Sequence, residues 1–145
     1  MSRSHETIIE IKATPEEVFR GITDPEQIVK WFCDEARVDP RVGGEYYFAW
    51  GGMGATTTIT AWEPGKHFGT QSERSLTYSH KGKVDTGVVQ KMCVDYYIES
   101  LGGGITRLRL VQSGFGPETA WDDEFADTKS GWMDFLKKLK GLLEN

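Results

Sequence analysis

The chain is short of the residues that staple, ligate or insert. Among its 145 residues are 2 cysteines, Cys33 and Cys93, which lie far apart with no C-x-x-C spacing and no neighbouring histidine. That excludes a disulfide framework and a thiolate metal site, and leaves two free thiols. The 3 histidines, His5, His67 and His80, fall on a terminus, a strand and a loop, with no H-x-x-x-H or H-E-x-x-H pair. No metal and no cofactor is implied. Basic residues are outnumbered, 17 Lys plus Arg against 22 Asp plus Glu, for a net charge of −5 and a pI near 5.2. A phosphate backbone would find no positive footprint, so nucleic acid is not an expected partner. No apolar run approaches the roughly 18 residues of a membrane span, and Met1 to Ile8 holds no apolar leader segment. Membrane insertion is therefore not expected, and the location is read as cytoplasmic.

Catalytic signatures are equally scarce. Gly51-Gly52-Met53-Gly54 is not followed by Lys-Ser or Lys-Thr and reads as a turn between strands, not a phosphate cradle. No G-x-S-x-G elbow occurs and neither cysteine has a base beside it, so nucleophilic catalysis has no visible machinery and an enzymatic role is not favoured.

What the chain does have is an ordinary globular composition, 38% hydrophobic, 12% aromatic and 27% charged, expected to form one domain over residues 1–145. Thr7, Ile9 and Ile11 alternate with Ile8, Glu10 and Lys12, the period of a half-buried strand. Thr14-Pro15-Glu16-Glu17 then supplies a Thr cap, a Pro at the first helical position and a Glu that reaches back to the cap. The short helix it opens carries Val18, Phe19 and Ile22 on one face. Asp24-Pro25-Glu26-Gln27 repeats that grammar and leads into Ile28, Val29, Trp31 and Phe32, predicting a second short helix across a tight corner.

From about residue 34 the period becomes two. After the Val42-Gly43-Gly44 turn, Tyr46, Phe48 and Trp50 alternate with Glu45, Tyr47 and Ala49, a strand with one uniformly aromatic face. A β-branched strand over Ala55 to Trp62 ends at the Glu63-Pro64-Gly65 turn, and Lys66 to Glu73 predicts the next. Val94, Tyr96 and Ile98 share a face of the strand from Val88 to Glu99. Beyond Gly102-Gly103-Gly104, Thr106, Leu108, Leu110 and Gln112 alternate with Arg107, Arg109 and Val111. Ser72 to Gly87 shows no clear period and reads as a long loop or irregular hairpin.

The last quarter changes period again. Trp121, Phe125, Trp132, Leu136, Leu139 and Leu143 form one stripe of a helix from about residue 118 to about 144. At about 1.5 Å per residue it spans roughly 40 Å. Asp122, Asp123 and Glu124 open it, and Lys137, Lys138 and Lys140 close it, the order the helix dipole favours. The lysines therefore read as a solvated face, and Gly131 as a point of close approach between helix and sheet.

Strands segregated from helices predict an α+β domain whose curved antiparallel sheet lays its apolar face on the long helix. Such a sheet leaves space at its open end, which makes the inward residues candidates for a ligand-binding cavity. From the sheet these are Tyr46, Phe48, Trp50, Tyr96, Leu108, Leu110 and Gln112, with Ile59 and Val94 in the same phase. Trp31 and Phe32 join them after the second short helix, and Trp121, Phe125 and Trp132 from the long one. Plain core packing accounts for most such aromatic stripes. The residues with polar handles are the sharper candidates: the Tyr46 and Tyr96 hydroxyls, the Trp50 and Trp121 indoles and the Gln112 amide. A buried amide without partners costs about 1–3 kcal/mol, so Gln112 either bonds local backbone or faces a wet pocket.

Several segments occur together in an order that points to a family: Thr14-Pro15-Glu16-Glu17-Val18-Phe19, Thr23-Asp24-Pro25-Glu26, Lys30-Trp31-Phe32, Val42-Gly43-Gly44-Glu45-Tyr46, Glu63-Pro64-Gly65-Lys66, Ser113-Gly114-Phe115 and Gly131-Trp132. Over nearly its whole length the chain resembles the SRPBCC, or START-like, superfamily, specifically single-domain homologues of the activator of the heat-shock-protein-90 ATPase. The resemblance implies a helix-grip fold: a curved antiparallel sheet of six or seven strands around the C-terminal helix, with two short helices after the first strand. It also implies an internal cavity for lipids, polyketides or other apolar molecules. Gln112 stands where many relatives have a histidine, and Ser72 to Gly87 is longer than the usual connection.

Three roles follow from different classes. The leading one is a carrier or sensor binding a small hydrophobic, aromatic or lipid-like molecule. The second is an enzyme of the polyketide cyclase or aromatase kind using the same cavity. The third is a stress-linked or chaperone-linked interaction module acting through an exposed apolar surface. Chaperone contact is implied by the family name alone, and the additional N-terminal domain of the namesake activators is not expected here.

Overall fold

The period-two segments form one seven-stranded antiparallel sheet in the computed structural model, which describes residues 3–75, 78–79, 82–83 and 89–145. The strands are β1 (Arg3–Ile11), β2 (Glu35–Val38), β3 (Glu45–Trp50), β4 (Met53–Glu63), β5 (His67–Ser75), β8 (Val89–Gly102) and β9 (Ile105–Phe115), with β6 (Tyr78–Ser79) and β7 (Gly82–Lys83) paired apart as a separate two-stranded piece. The order across the large sheet is β1-β9-β8-β5-β4-β3-β2, so the first strand closes against the last. Helices α1 (Pro15–Thr23) and α2 (Pro25–Ile28) separate β1 from β2, and α3 (Asp122–Leu143) follows the sheet.

Local chemistry accounts for these boundaries. The Thr14 hydroxyl accepts the Glu17 N–H at 3.2 Å while the Glu17 carboxylate accepts the Thr14 N–H at 3.2 Å, the reciprocal cap expected at α1. Asp24 caps α2 through the Glu26 N–H at 3.0 Å, but α2 stops after 4 residues, and Val29 is left exposed. The β3–β4 hairpin turns on Gly51 and Gly52 alone. Their φ values of 55° and 83° suit the two-residue turn whose twist matches antiparallel strands, so Met53 and Gly54 belong to β4 and not to the turn. Register shifts at Ile59/Ala61 and Ser100/Gly102 add the bulges that bend a sheet.

The inward phases read from the sequence hold on β1, β8 and β9. Thr7, Ile11, Tyr96, Ile98, Thr106, Leu108, Leu110 and Gln112 are all buried. The main core joins α1 residues Val18, Phe19 and Ile22 to Phe68, Leu108 and Leu110 of the sheet and Leu136 and Leu139 of α3. A smaller cluster, Met92, Phe115 and Trp121 with Phe125 against it, lies apart.

Two further expectations need correction. Trp121 does not belong to the long helix but to a single 3₁₀ turn, Thr119–Trp121, before it. Gly131 does not bring α3 close to the sheet, because a Cβ built there meets nothing within 4 Å. Of the two readings of Ser72 to Gly87, loop or irregular hairpin, the described residues favour the hairpin, with β5 running on to Ser75 opposite Val89 and β6 facing β7. The remainder of that stretch lies outside the described residues.

Candidate functional site

A cavity of about 520 Å³ lies between the inner face of the sheet, Phe32 after α2 and Trp132 of α3. Its wall draws on both clusters: Phe32, Tyr46, Phe68 and Tyr96 belong to the main core, Met92 to the smaller one.

Seven of the twelve candidates meet there. Phe32, Tyr46, Phe48, Trp50, Tyr96, Gln112 and Trp132 all line the cavity. Their rings form a continuous aromatic wall. Phe32 lies parallel to Trp132, with centroids 5.5 Å apart and an interplanar angle of 6°, and meets Phe48 and Trp50 edge-on at 5.1 and 5.0 Å. Trp132 meets Tyr96 edge-on at 6.2 Å. Trp50, expected inward, is 41% exposed and stands at the rim, its indole N–H donating to the Phe32 carbonyl at 2.7 Å.

The other five are brought elsewhere. The Trp31 indole donates to the Gly21 carbonyl at 2.8 Å and belongs to the main core with the fully buried Leu108 and Leu110. Trp121 sits in the smaller cluster, its indole nitrogen buried without a partner. Phe125 faces an open groove between β1 and α3 with Ile8 and Met133. Ile59, in phase but fully covered, is also absent from the cavity wall.

The periodicity argument missed Thr56, Thr57, Phe68, Thr70 and Met92, and at the rim Ala55, Ser72 and Glu73. Four of these are threonine or serine on β4 and β5, which the strand pattern marks as β-formers without marking them as lining. Phe68 carried the one available signal, an isolated large ring between His67 and Gly69.

The polar groups of the wall are differently employed. The Tyr46 hydroxyl donates to the Ile22 carbonyl at 2.9 Å, and the Thr57 hydroxyl donates to the Tyr46 carbonyl at 2.8 Å. Both handles are spent on holding β3 to α1 and to β4. Of the two readings of Gln112 the structure favours the pocket: the residue lines the cavity, and its side-chain oxygen accepts the Trp132 indole N–H at 2.8 Å, across to the helix. The Tyr96 hydroxyl has no hydrogen-bond partner among the described residues, although the residue is only 4% exposed. Burial pushes the phenols of Tyr46 and Tyr96 well above the usual tyrosine range, so both stay protonated donors.

Among the described residues no group of three or more His, Cys, Asp or Glu side chains could hold a metal ion. Cys33 is buried, its thiol donates to the Glu35 carbonyl at 3.2 Å, and burial raises its pKa, which marks a structural thiol. Among the described residues no helix is long and apolar enough to cross a membrane.

The same architecture occurs in solved structures. The Mesorhizobium loti protein MLL2253 superposes with a TM-score of 0.77 at 24% identity, over 97% of this chain and 96% of that one. The Aha1 dimer from Colwellia psychrerythraea gives 0.78 at 24% identity, over 98% and 96%. DynU16, from the dynemicin biosynthetic locus, gives 0.75 at 21% identity over 98% of this chain, which spans 47% of DynU16. At such identities the likeness is one of fold, a helix-grip sheet around a C-terminal helix. No curated protein matches the chain. Residues 12–144 match the family described as Activator of Hsp90 ATPase homolog 1-like protein, and the chain belongs to that family.

Proposed function

We propose that the chain acts, as one domain, by binding a small hydrophobic molecule in the cavity between the sheet and α3, as a carrier or sensor. The observation that supports this most directly is an aromatic-walled space of about 520 Å³ between the sheet and α3. Volumes of roughly 300–1,000 Å³, mostly apolar with a few fixed polar groups, are those of small-molecule sites. Binding is favoured over turnover because the Tyr46 hydroxyl is committed to the Ile22 carbonyl.

The test is thermal unfolding of the purified protein against flavonoids, aromatic polyketides, fatty acids and sterols. A ligand at 100 times its dissociation constant adds about 2.7 kcal/mol, a shift of several degrees for a domain this size. Val94→Trp, which places an indole into the cavity, should abolish the shift while unfolding stays cooperative. Shifts of equal size in Val94→Trp would overturn the assignment to this cavity.

A further inference from the structure

Beside the Thr56, Thr70 and Ser72 hydroxyls and the Glu73 carboxylate on the strands β4 and β5, the cavity wall holds two polar groups next to α3, on Gln112 and Tyr96. An indole N–H only donates, so the Gln112 atom facing Trp132 is the amide oxygen, and the NH₂ group is turned away from it. Among the described residues, the side-chain polar atoms sealed from water without a partner are His5 Nδ1 and Trp121 Nε1. The Gln112 amide nitrogen and the Tyr96 hydroxyl are also unpartnered but are not sealed, and the space both residues line is the cavity. Val94 pairs with Gln112 and Tyr96 with Leu110 across β8 and β9, so Tyr96 and Gln112 are diagonal neighbours on one face. Such neighbours lie roughly 7–8 Å apart. Trp132 lies against both, bonded to one and edge-on to the other.

Two neighbouring donors therefore line one side of an aromatic-walled cavity, while the described lining holds no Lys, Arg or His to neutralise an anion. Its one carboxylate, Glu73, sits exposed at the rim, where it repels negative charge. We infer that the site selects neutral, flat aromatic molecules bearing an accepting carbonyl oxygen, an aryl ketone or quinone, directed at the Tyr96 hydroxyl and the Gln112 amide. This rests on the cavity-binding reading and adds the ligand's chemical class to it. A site with buried unpaired donors discriminates against an analogue that lacks the acceptor, because binding that analogue leaves the donors dry and unmatched.

Fluorenone and fluorene, which differ by a carbonyl in place of a methylene, separate the two levels. Titrated against tryptophan fluorescence, the protein should bind fluorenone at least about tenfold more tightly than fluorene. Fluorene carboxylate should bind more weakly than either. Tyr96→Phe, which removes one oxygen and no ring, should bring the fluorenone-to-fluorene ratio down severalfold, and Gln112→Met should do the same. Equal affinity for the pair, or a ratio unchanged in Tyr96→Phe, overturns the ligand class and leaves the cavity reading standing. Binding of none of the three, up to their solubility, overturns both.

Discussion

The indole N–H of Trp132 donates to the side-chain oxygen of Gln112 across 2.8 Å, tying the middle of α3 to the inner face of β9 at the wall of the cavity. The bond is partly buried and joins residues 20 positions apart. It therefore has two functions: it anchors the helix, and it fixes which face of the amide the cavity sees.

Trp132→Phe keeps an aromatic ring against Phe32 and leaves the Gln112 oxygen without its donor. The expected cost is about 1–3 kcal/mol, with Gln112→Leu similar in sign. In urea unfolding of the wild type, both single variants and the double variant, the coupling should be about 0.5–1.5 kcal/mol. Strictly additive losses would show that the bond contributes nothing to stability.

His5 should make stability fall as the pH drops through the histidine range. The Thr128 hydroxyl donates to the Glu124 carbonyl at 2.9 Å, so it accepts from His5 Nε2 at 3.0 Å, and the ring is neutral with Nδ1 sealed. Burial between Phe115 and Phe125, and then the Lys129 charge, hold its pKa below the ordinary 6.5. The unfolded chain takes up a proton near 6.5 that the folded one refuses, so the contribution is complete above that pH and lost below it. Urea midpoints at about pH 8 and about pH 5 should differ less in His5→Phe than in the wild type. An identical difference in the two proteins would remove His5 from the explanation.

Gly131→Ala should stabilise the domain by about 0.4–1 kcal/mol, since α3 gains a better helix former and the new methyl meets no neighbour within 4 Å. The opposite holds at Gly114, whose φ of 98° and contact with the Lys91 carbonyl leave no room for a side chain. There Gly114→Ala should destabilise by at least about 1–3 kcal/mol. Thermal midpoints of the two variants should move in opposite directions.

Much of the frame was readable in the sequence because its signals are local. The Thr14–Glu17 cap, the glycine turns and the alternation of Thr106, Leu108, Leu110 and Gln112 depend only on neighbours along the chain, and each recurs in the structure. The cavity was readable in phase but not in position. Leu110 and Gln112 share a face, yet Leu110 is packed in the main core and Gln112 lines open space. Which inward residue is covered depends on where α3 lies across the sheet, and no period records that. Trp121 and Phe125 failed for a related reason: the stripe counts them in line with Trp132, but the 3₁₀ turn and the start of α3 carry them into a separate cluster.

The pairing of β1 with β9 sets the order in which a nascent chain completes itself. Thr7 lies opposite Leu110 and Ile9 opposite Leu108, so the first strand made waits for nearly the last. Hairpins β3–β4 and β8–β9 form from adjacent segments, whereas the β1–β9 seam needs closure of a loop about a hundred residues long, the slow kind of contact. Until then β1 is an unpaired strand open to the wrong partner. Its outward side chains, Glu6 and Glu10 on either side of Ile8, place charge along that strand, the feature that discourages edge-to-edge association while synthesis continues.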